Sequence, residues 1–372
     1  MNVNQKFFIL VLLFVLILSS SCVFAEKINE NNSTSTNQNS LVETDNSDII
    51  EAMNSQDELL SDESDEIVVN DWDELQYYCS LSDRDYTLKL KENTNFYPTN
   101  PTDSNYQIKI NNNVKIIGSE GSYIGDSSFH QCYIPSDGTR YIVEGGQFVT
   151  YTPIIVPDNN RKSLTLENIT FKWIYLQYSP DAKFLQLGGG GEYIIKNCHF
   201  DYINTVNGNG AVILLKKGKA SLNNCSFVNS KVPKGFITIS EQQSMVVKDC
   251  YFANNFAYEH TTCIMNWGKL TIYNTKFHKN RSAAWAGGIT TYGAGITNIY
   301  NCNFTDNVAG WNGGALYVYN IVNIYNTTFE GNNCTTNNGG GAIGACQFSG
   351  IPRLYVDSCL FKDNNNNCWA LD

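Results

Sequence analysis

The chain has 372 residues and a formal net charge of −11, from 36 acidic and 25 basic side chains. Fifteen of the acids lie between Glu26 and Glu74, against one lysine (Lys27), so 21 acids and 23 bases remain beyond, a balance near +2. This excludes the strongly basic footprint that nucleic-acid binding requires, and the low pI carries no information about the partner of the folded part.

In chain order, the first element is residues 1–25. Lys6 is their only charge, and it precedes an apolar run of 12 residues from Phe7 to Leu18, then Ser19, Ser20 and Ser21, then Val23-Phe24-Ala25. That layout is a signal peptide. The run is shorter than the ~20 residues of a spanning helix, and no later segment reaches that length. The mature chain is therefore expected outside the cell or on its surface, without a transmembrane anchor. Cys22 raises a lipoprotein reading, but Ser19 stands where such a site has Leu. Residues 26–70 follow, acidic, rich in Asn, Ser and Thr and free of aromatics. They cannot bury enough apolar surface to offset ordering entropy, and a disordered spacer is expected.

Residues 71–163 are expected to form an N-terminal cap and the first turns of a repeat. The segment Asp71-Trp-Asp-Glu-Leu-Gln-Tyr-Tyr78 suits a short amphipathic helix, and Tyr86-Thr-Leu-Lys-Leu90, Tyr106-Gln-Ile-Lys-Ile110 and Val114-Lys-Ile-Ile117 alternate as strands do.

Over residues 164–372 one phrase recurs: aliphatic, any, Asn, Cys or Thr, any, Phe. Its copies end at Phe171, Phe200, Phe227, Phe252, Phe277, Phe304, Phe329 and Phe361, 25 to 32 residues apart. Such a unit has no room for a long helix and is rich in Ile, Val, Tyr and Thr. Two or three short strands per unit describe an all-β fold, a right-handed single-stranded parallel β-helix (solenoid) behind a short helical cap. The aliphatic residue, the Cys/Thr and the Phe should face the core. The Asn between them (Asn168, Asn224 and Asn326 among its copies) suits a left-handed bend and is expected to be buried. Glycine pairs about ten residues after the Phe, at Gly287-Gly288, Gly313-Gly314 and Gly340-Gly341, mark a further corner.

An Asn three positions after the Phe, as at Phe252/Asn255, Phe277/Asn280, Phe304/Asn307, Phe329/Asn332 and Phe361/Asn364, completes a pattern. Together with Gly-Gly-Ala-Ile/Leu it resembles the repeats of polymorphic outer-membrane proteins and the adhesin-like secreted proteins of methanogenic archaea. The resemblance covers roughly residues 70–367 and implies a cell-surface β-helix with a role in adhesion, presenting a surface to glycans or to proteins of other cells. Unlike those families, the chain shows no wall-binding or immunoglobulin-like module.

Five cysteines (Cys198, Cys225, Cys250, Cys302 and Cys359) share one repeat position with Thr275 and Thr327. A half-cystine cannot alternate with Thr without orphaning its partner, so a reduced ladder is expected there. Cys79, Cys132, Cys263, Cys334, Cys346 and Cys368 remain candidates for bridges. No zinc-ligand spacing occurs, and neither a metal nor a cofactor is expected. The repeats carry few acids (Asp249, Asp306, Glu330, Asp357 and Asp363), and His130, His199, His260 and His278 sit singly among polar neighbours. No catalytic residues are assigned. A polysaccharide-active lyase or hydrolase and a purely structural stalk stand as the alternatives to a binding module. Asn367-Cys-Trp-Ala370 resembles the nucleophile phrase of papain-like proteases, but no downstream His activates it. Eight Asn-x-Ser/Thr triplets occur, of which Asn280, Asn303 and Asn333 are the expected glycan acceptors. Tyr273, Tyr300 and Tyr325 share an outward position and are expected to form a tyrosine ladder, suited to sugar stacking, to protein contact or to covering the sheet. The last repeat lacks a polar cap, which leaves end-to-end association open.

Overall fold

The computed structural model describes residues 66–99, 104–126, 131–132, 143–144, 148–149, 153–177, 183–205, 211–336, 339–346 and 351–366. The signal peptide and nearly all of the spacer lie outside them, as do Cys368 and the papain-like phrase. The chain winds as a right-handed parallel β-helix with three faces. The first face is an 11-stranded sheet running from Ile67–Val69 through Lys269–Tyr273, Ile296–Tyr300 and Ile321–Tyr325 to Arg353–Asp357. The third face holds nine strands, from Ile108–Lys109 to Ile343–Ala345. Short strands such as Lys276–His278 and Asn303–Thr305 build the second face between them. Every described pairing is parallel except a small hairpin of Gln131–Cys132 with Val143–Glu144. The strand Ile67–Val69 corrects the spacer boundary at residue 70: three apolar β-branched residues suffice to pair with Leu88–Leu90.

The expected helix, α1, spans Trp72–Ser80. The Asp71 side chain caps it by accepting from the Glu74 N–H, and the Glu74 carboxylate accepts from the Asn70 N–H at 2.9 Å. Its buried face, Trp72, Leu75 and Cys79, covers the first rungs.

Between the first and second faces the chain turns at one residue held left-handed: Asn168, Asn197, Asn224, Asp249, Asn274, Asn301, Asn326 and Ser358, with φ between 47° and 56°. Asn has the lowest cost there among non-glycine residues. These side chains are exposed, not buried as expected: the corner projects outward, and Asp249 at the same place is solvated too. Beyond the bend the Phe rings enter the core and stack from Phe171 to Phe361, with centroids 4.5–5.0 Å apart and ring planes within 15° of parallel. Burying one such ring contributes roughly 1.5–3 kcal/mol.

The Asn three after the Phe is the buried one. Asn280 and Asn307 are 0% exposed. The main-chain N–H and Nδ2 of Asn280 donate to Asn307 Oδ1 at 3.1 and 3.0 Å, and Nδ2 also donates to Phe252 O at 3.0 Å. Asn255, Asn307 and Asn332 repeat the arrangement. The residue before each, including Asn254, Lys279, Asp306 and Asp363, forms a second left-handed corner. The Cys/Thr column works alike. Each S–H or O–H donates to the carbonyl two residues earlier, as from Cys302 to Tyr300 and from Thr327 to Tyr325. Each S or O accepts an N–H from the preceding rung, as Thr275 does from Cys250 and Cys250 does from Cys225. Thr and Cys interchange because both donate one hydrogen and accept one.

Cys79, Cys263, Cys334 and Cys346 are not joined in disulfides, which corrects their assignment as bridge candidates. Cys79 and Cys263 are completely buried among apolar neighbours. Burial pushes the thiols of Cys198 and Cys250 up and that of Cys302 up to about 12, whereas S–H groups on both sides lower Cys225. The glycine pairs answer a close approach between rungs. A Cβ on Gly287 would lie 2.6 Å from Gly314 O and 2.7 Å from Asn280 O.

Two outcomes are expected. Asn307→Leu strands the donors of Asn280 and the carbonyl of Phe277, and should cost about 2–4 kcal/mol, against under about 1 kcal/mol for Cys302→Thr, both read from urea unfolding midpoints. Without reductant, Cys198, Cys225, Cys250 and Cys302 should resist alkylation in the folded chain and all react once it is unfolded. A mass showing any of them disulfide-linked would remove the ladder.

Candidate functional site

The tyrosine ladder forms where the first-face strands reach the asparagine bend. Tyr273, Tyr300 and Tyr325 are paired in register, each the last residue of its strand. Their rings lie 5.0 Å apart at 13° and again 5.0 Å apart at 5°. Asp357 takes the next register position, and Tyr355 contributes the next ring, tilted by 44° at 5.4 Å from Tyr325. All three ladder residues are half-buried, because each ring covers the face of its neighbour and leaves the ring edges outward. Burial pushes the hydroxyls of Tyr273 and Tyr325 up, and the Tyr355 and Asp357 side chains add to this at Tyr325. These hydroxyls are protonated at neutral pH and can both donate and accept.

Around the bend from these rings the second face forms an open groove of about 610 Å³, lined by Asp249, Cys250, Tyr251, Asn274, Lys276, His278, Asn303 and Thr305. Alternation places Lys276 and His278 outward on either side of the core residue Phe277. Asn274 Nδ2 donates to Asp249 Oδ1 at 2.9 Å. His278 Nδ1 lies 2.8 Å from Thr305 Oγ1 and 3.8 Å from an Asp306 carboxylate oxygen. The lining offers an ammonium, an imidazole, the hydroxyls of Tyr251 and Thr305 and two amides, but one carboxylate, Asp249. A general acid and base pair of carboxylates is not assembled in it. It is suited to hydrogen bonding with a hydroxyl-rich ligand. Among the described residues no cluster of three His, Cys, Asp or Glu side chains is placed to hold a metal ion.

The expected glycan acceptors separate. Asn303 is exposed on the wall of the groove. Asn333 is half-buried. Asn280 is withdrawn as an acceptor, because it is fully buried and its Nδ2 is committed to Phe252 O and Asn307 Oδ1. The bend residues Asn168, Asn224 and Asn326, set aside as buried, are exposed.

One aromatic group was not anticipated. Trp267, Tyr292 and Tyr319 each follow a third-face strand and stack along the axis, 4.5 Å apart at 12° and 5.2 Å apart at 20°. Trp285 lies 5.5 Å from Tyr292 and 6.2 Å from Tyr317. Beneath them Met265, Thr290 and Tyr317, outward by alternation, are nonetheless buried. The signal was present as Ile264-Met-Asn-Trp267, Ile289-Thr-Thr-Tyr292 and Leu316-Tyr-Val-Tyr319, again at the repeat spacing. His260 packs edge-on against Trp285 at 4.1 Å, so it is no plain surface histidine. Burial and then Lys234 pull its pKa down to about 4.

If the chain is secreted from a glycosylating host, peptide mass spectrometry should find a glycan on Asn303 and none on Asn280 in the folded protein. Occupancy of Asn280 in that fraction would contradict the asparagine ladder.

No protein-family model matches the sequence, and no curated protein matches it. Two solved structures align with it. Pectate lyase Bsp165PelA from Bacillus sp. N165, in complex with trigalacturonate, shares 11% identity over 81% of this chain and 83% of that one, with a TM-score of 0.33. A doubly substituted pectate lyase from Xanthomonas campestris shares 12% identity over 80% and 79%, with a TM-score of 0.30.

Proposed function

We propose that this chain is a secreted, cell-surface β-helix of the adhesin-like kind that binds glycans, using the tyrosine ladder together with the groove beside it. The observation that carries the reading is the near-parallel stack of Tyr273, Tyr300 and Tyr325 at rung spacing. Partly exposed tyrosine rings give a sugar both an apolar surface to lie on and a hydroxyl to bond. Around the bend, Lys276, His278, Asn274 and Asn303 supply hydrogen-bonding groups within one groove. A stack of this kind also covers the sheet beneath it. The two roles differ in what removing the rings does to binding.

The test is a glycan array probed with the full chain, run alongside reducing-sugar and lyase assays on the polysaccharides that bind. Saturable glycan binding should fall at least about tenfold in the Tyr273→Ala, Tyr300→Ala, Tyr325→Ala triple variant, a loss of about 1.4 kcal/mol. The variant's circular dichroism should match that of the parent chain. Turnover of a bound polysaccharide would replace this reading with an enzymatic one. Binding unchanged in the triple variant would assign the ladder to covering the sheet.

A further inference from the structure

Where an outward column of the stack brings a lysine beside an acid, the two pair. The Glu167 carboxylate meets Lys115 Nζ at 3.0 Å and Lys196 Nζ at 3.5 Å, each one rung away, and Glu330 meets Lys362 Nζ at 2.6 Å. Lys248 holds the same first-face column as Lys196, two rungs on. Its neighbours in that column are Asn223 and Tyr273, and it forms no ion pair among the described residues. Lys248 therefore stands as a free ammonium directly before the first ring of the tyrosine ladder.

The next rung adds three more such cations. It supplies Tyr273 and then, around the bend, Lys276, Lys279 and Arg281, all three exposed and none in an ion pair among the described residues. Lys276 lies in register between Tyr251 and Asn303, and Arg281 between Phe256 and Val308. Lys279 occupies the left-handed corner between them, with φ 53°. Two acids share the bend and second face of these rungs, and both are engaged. Asp249 Oδ1 accepts from Asn274 Nδ2 at 2.9 Å, and an Asp306 carboxylate oxygen faces His278 Nδ1 at 3.8 Å. On the other side of the ladder the outward first-face column holds Val246, Thr271, Asn298 and Asn323, none of them charged. Four cations thus border one end of the ladder and the groove beside it. The other end is acidic, with Asp357 next in register after Tyr325.

We propose that the ligand of this surface is an anionic polysaccharide. Its sugar rings lie along Tyr273, Tyr300 and Tyr325, and its carboxylate or sulfate groups reach Lys248 and Lys276. Lys279 and Arg281 extend the positive field past the second corner, which draws the polymer in and orients it away from Asp357. The inference rests on the glycan-binding reading above and adds the charge of the glycan to it.

The probes are alginate, hyaluronan and chondroitin sulfate, each set against its carboxyl-reduced counterpart, the last also after desulfation. Titrated into the full chain at low ionic strength, at least one acidic polymer should bind saturably and at least about tenfold more tightly than its neutral counterpart. Comparison of the sulfated and desulfated forms separates sulfate from carboxylate as the recognised group. Added salt should weaken the binding, since exposed charges are screened. The Lys248→Gln, Lys276→Gln double variant should lose at least about tenfold in affinity and much of the salt dependence. Lys91→Gln with Lys109→Gln removes the same charge from exposed sites on the first rungs and should change affinity by less than about twofold. Acidic polymers that bind no better than neutral ones overturn the inference while leaving the glycan-binding reading in place. Equal losses in the two double variants also overturn it, because net charge rather than this site would then hold the polymer. Acidic binding that needs Lys248 and Lys276 but survives the tyrosine triple variant overturns the placement of the sugar rings on the ladder.

Discussion

Successive rungs of a parallel β-helix sit one strand spacing apart, about 4.8 Å, and in unchanging register. Every side chain therefore lies against the equivalent side chain of the next repeat, and whatever occupies a position must tolerate its own neighbour. Phenylalanine tolerates it by stacking ring on ring from Phe171 to Phe361. Asparagine tolerates it because its amide donates and accepts at once, so that Asn255, Asn280, Asn307 and Asn332 form a continuous buried ladder. A charged residue in that column would meet its like at the same spacing without water. Three acids of the repeat, Asp249, Asp306 and Asp363, are accordingly placed at the corners, and Glu330 and Asp357 end strands at the surface.

The same constraint explains the cysteines. A thiol that passes a hydrogen to the carbonyl two residues back and accepts one from the previous rung is used as a short hydroxyl would be. Thr275 and Thr327 therefore enter the column without disturbing it. The left-handed corners on either side of the phenylalanine are held by the ladders they flank. This is how a residue as unfavourable in that region as Lys279, next to Asn280, is kept there.

Outward positions obey the stacking rule with water as the alternative partner, so outer columns drift in composition where core columns do not. The second-face groove mixes Tyr251, Lys276 and Asn303 in one column and Ala253, His278 and Thr305 in the next. The tyrosine ladder is the exception, three identical aromatic residues in register on an outer edge. The cluster on the third face is a second concentration of aromatics, built over strands whose outward residues it buries.

The period, the inward phrase, the stacked phenylalanines and the tyrosine register were all legible in the sequence, because each depends on spacing along one chain and on alternation within a strand. The roles of the two asparagines were not. Both recur at the same period, and which is solvated depends on whether the corner projects outward or its side chain reaches the rung above. One clue was present: Asp249 occupies the bend column, where a buried site would refuse a charge, while the other column varies to Ser230 and Ile203. The aromatic cover of the third face and the burial of Asn280 were decided by tertiary structure alone. Each depends on what lies one rung away across about 25 residues of intervening chain, a contact that periodicity implies without saying which atoms meet.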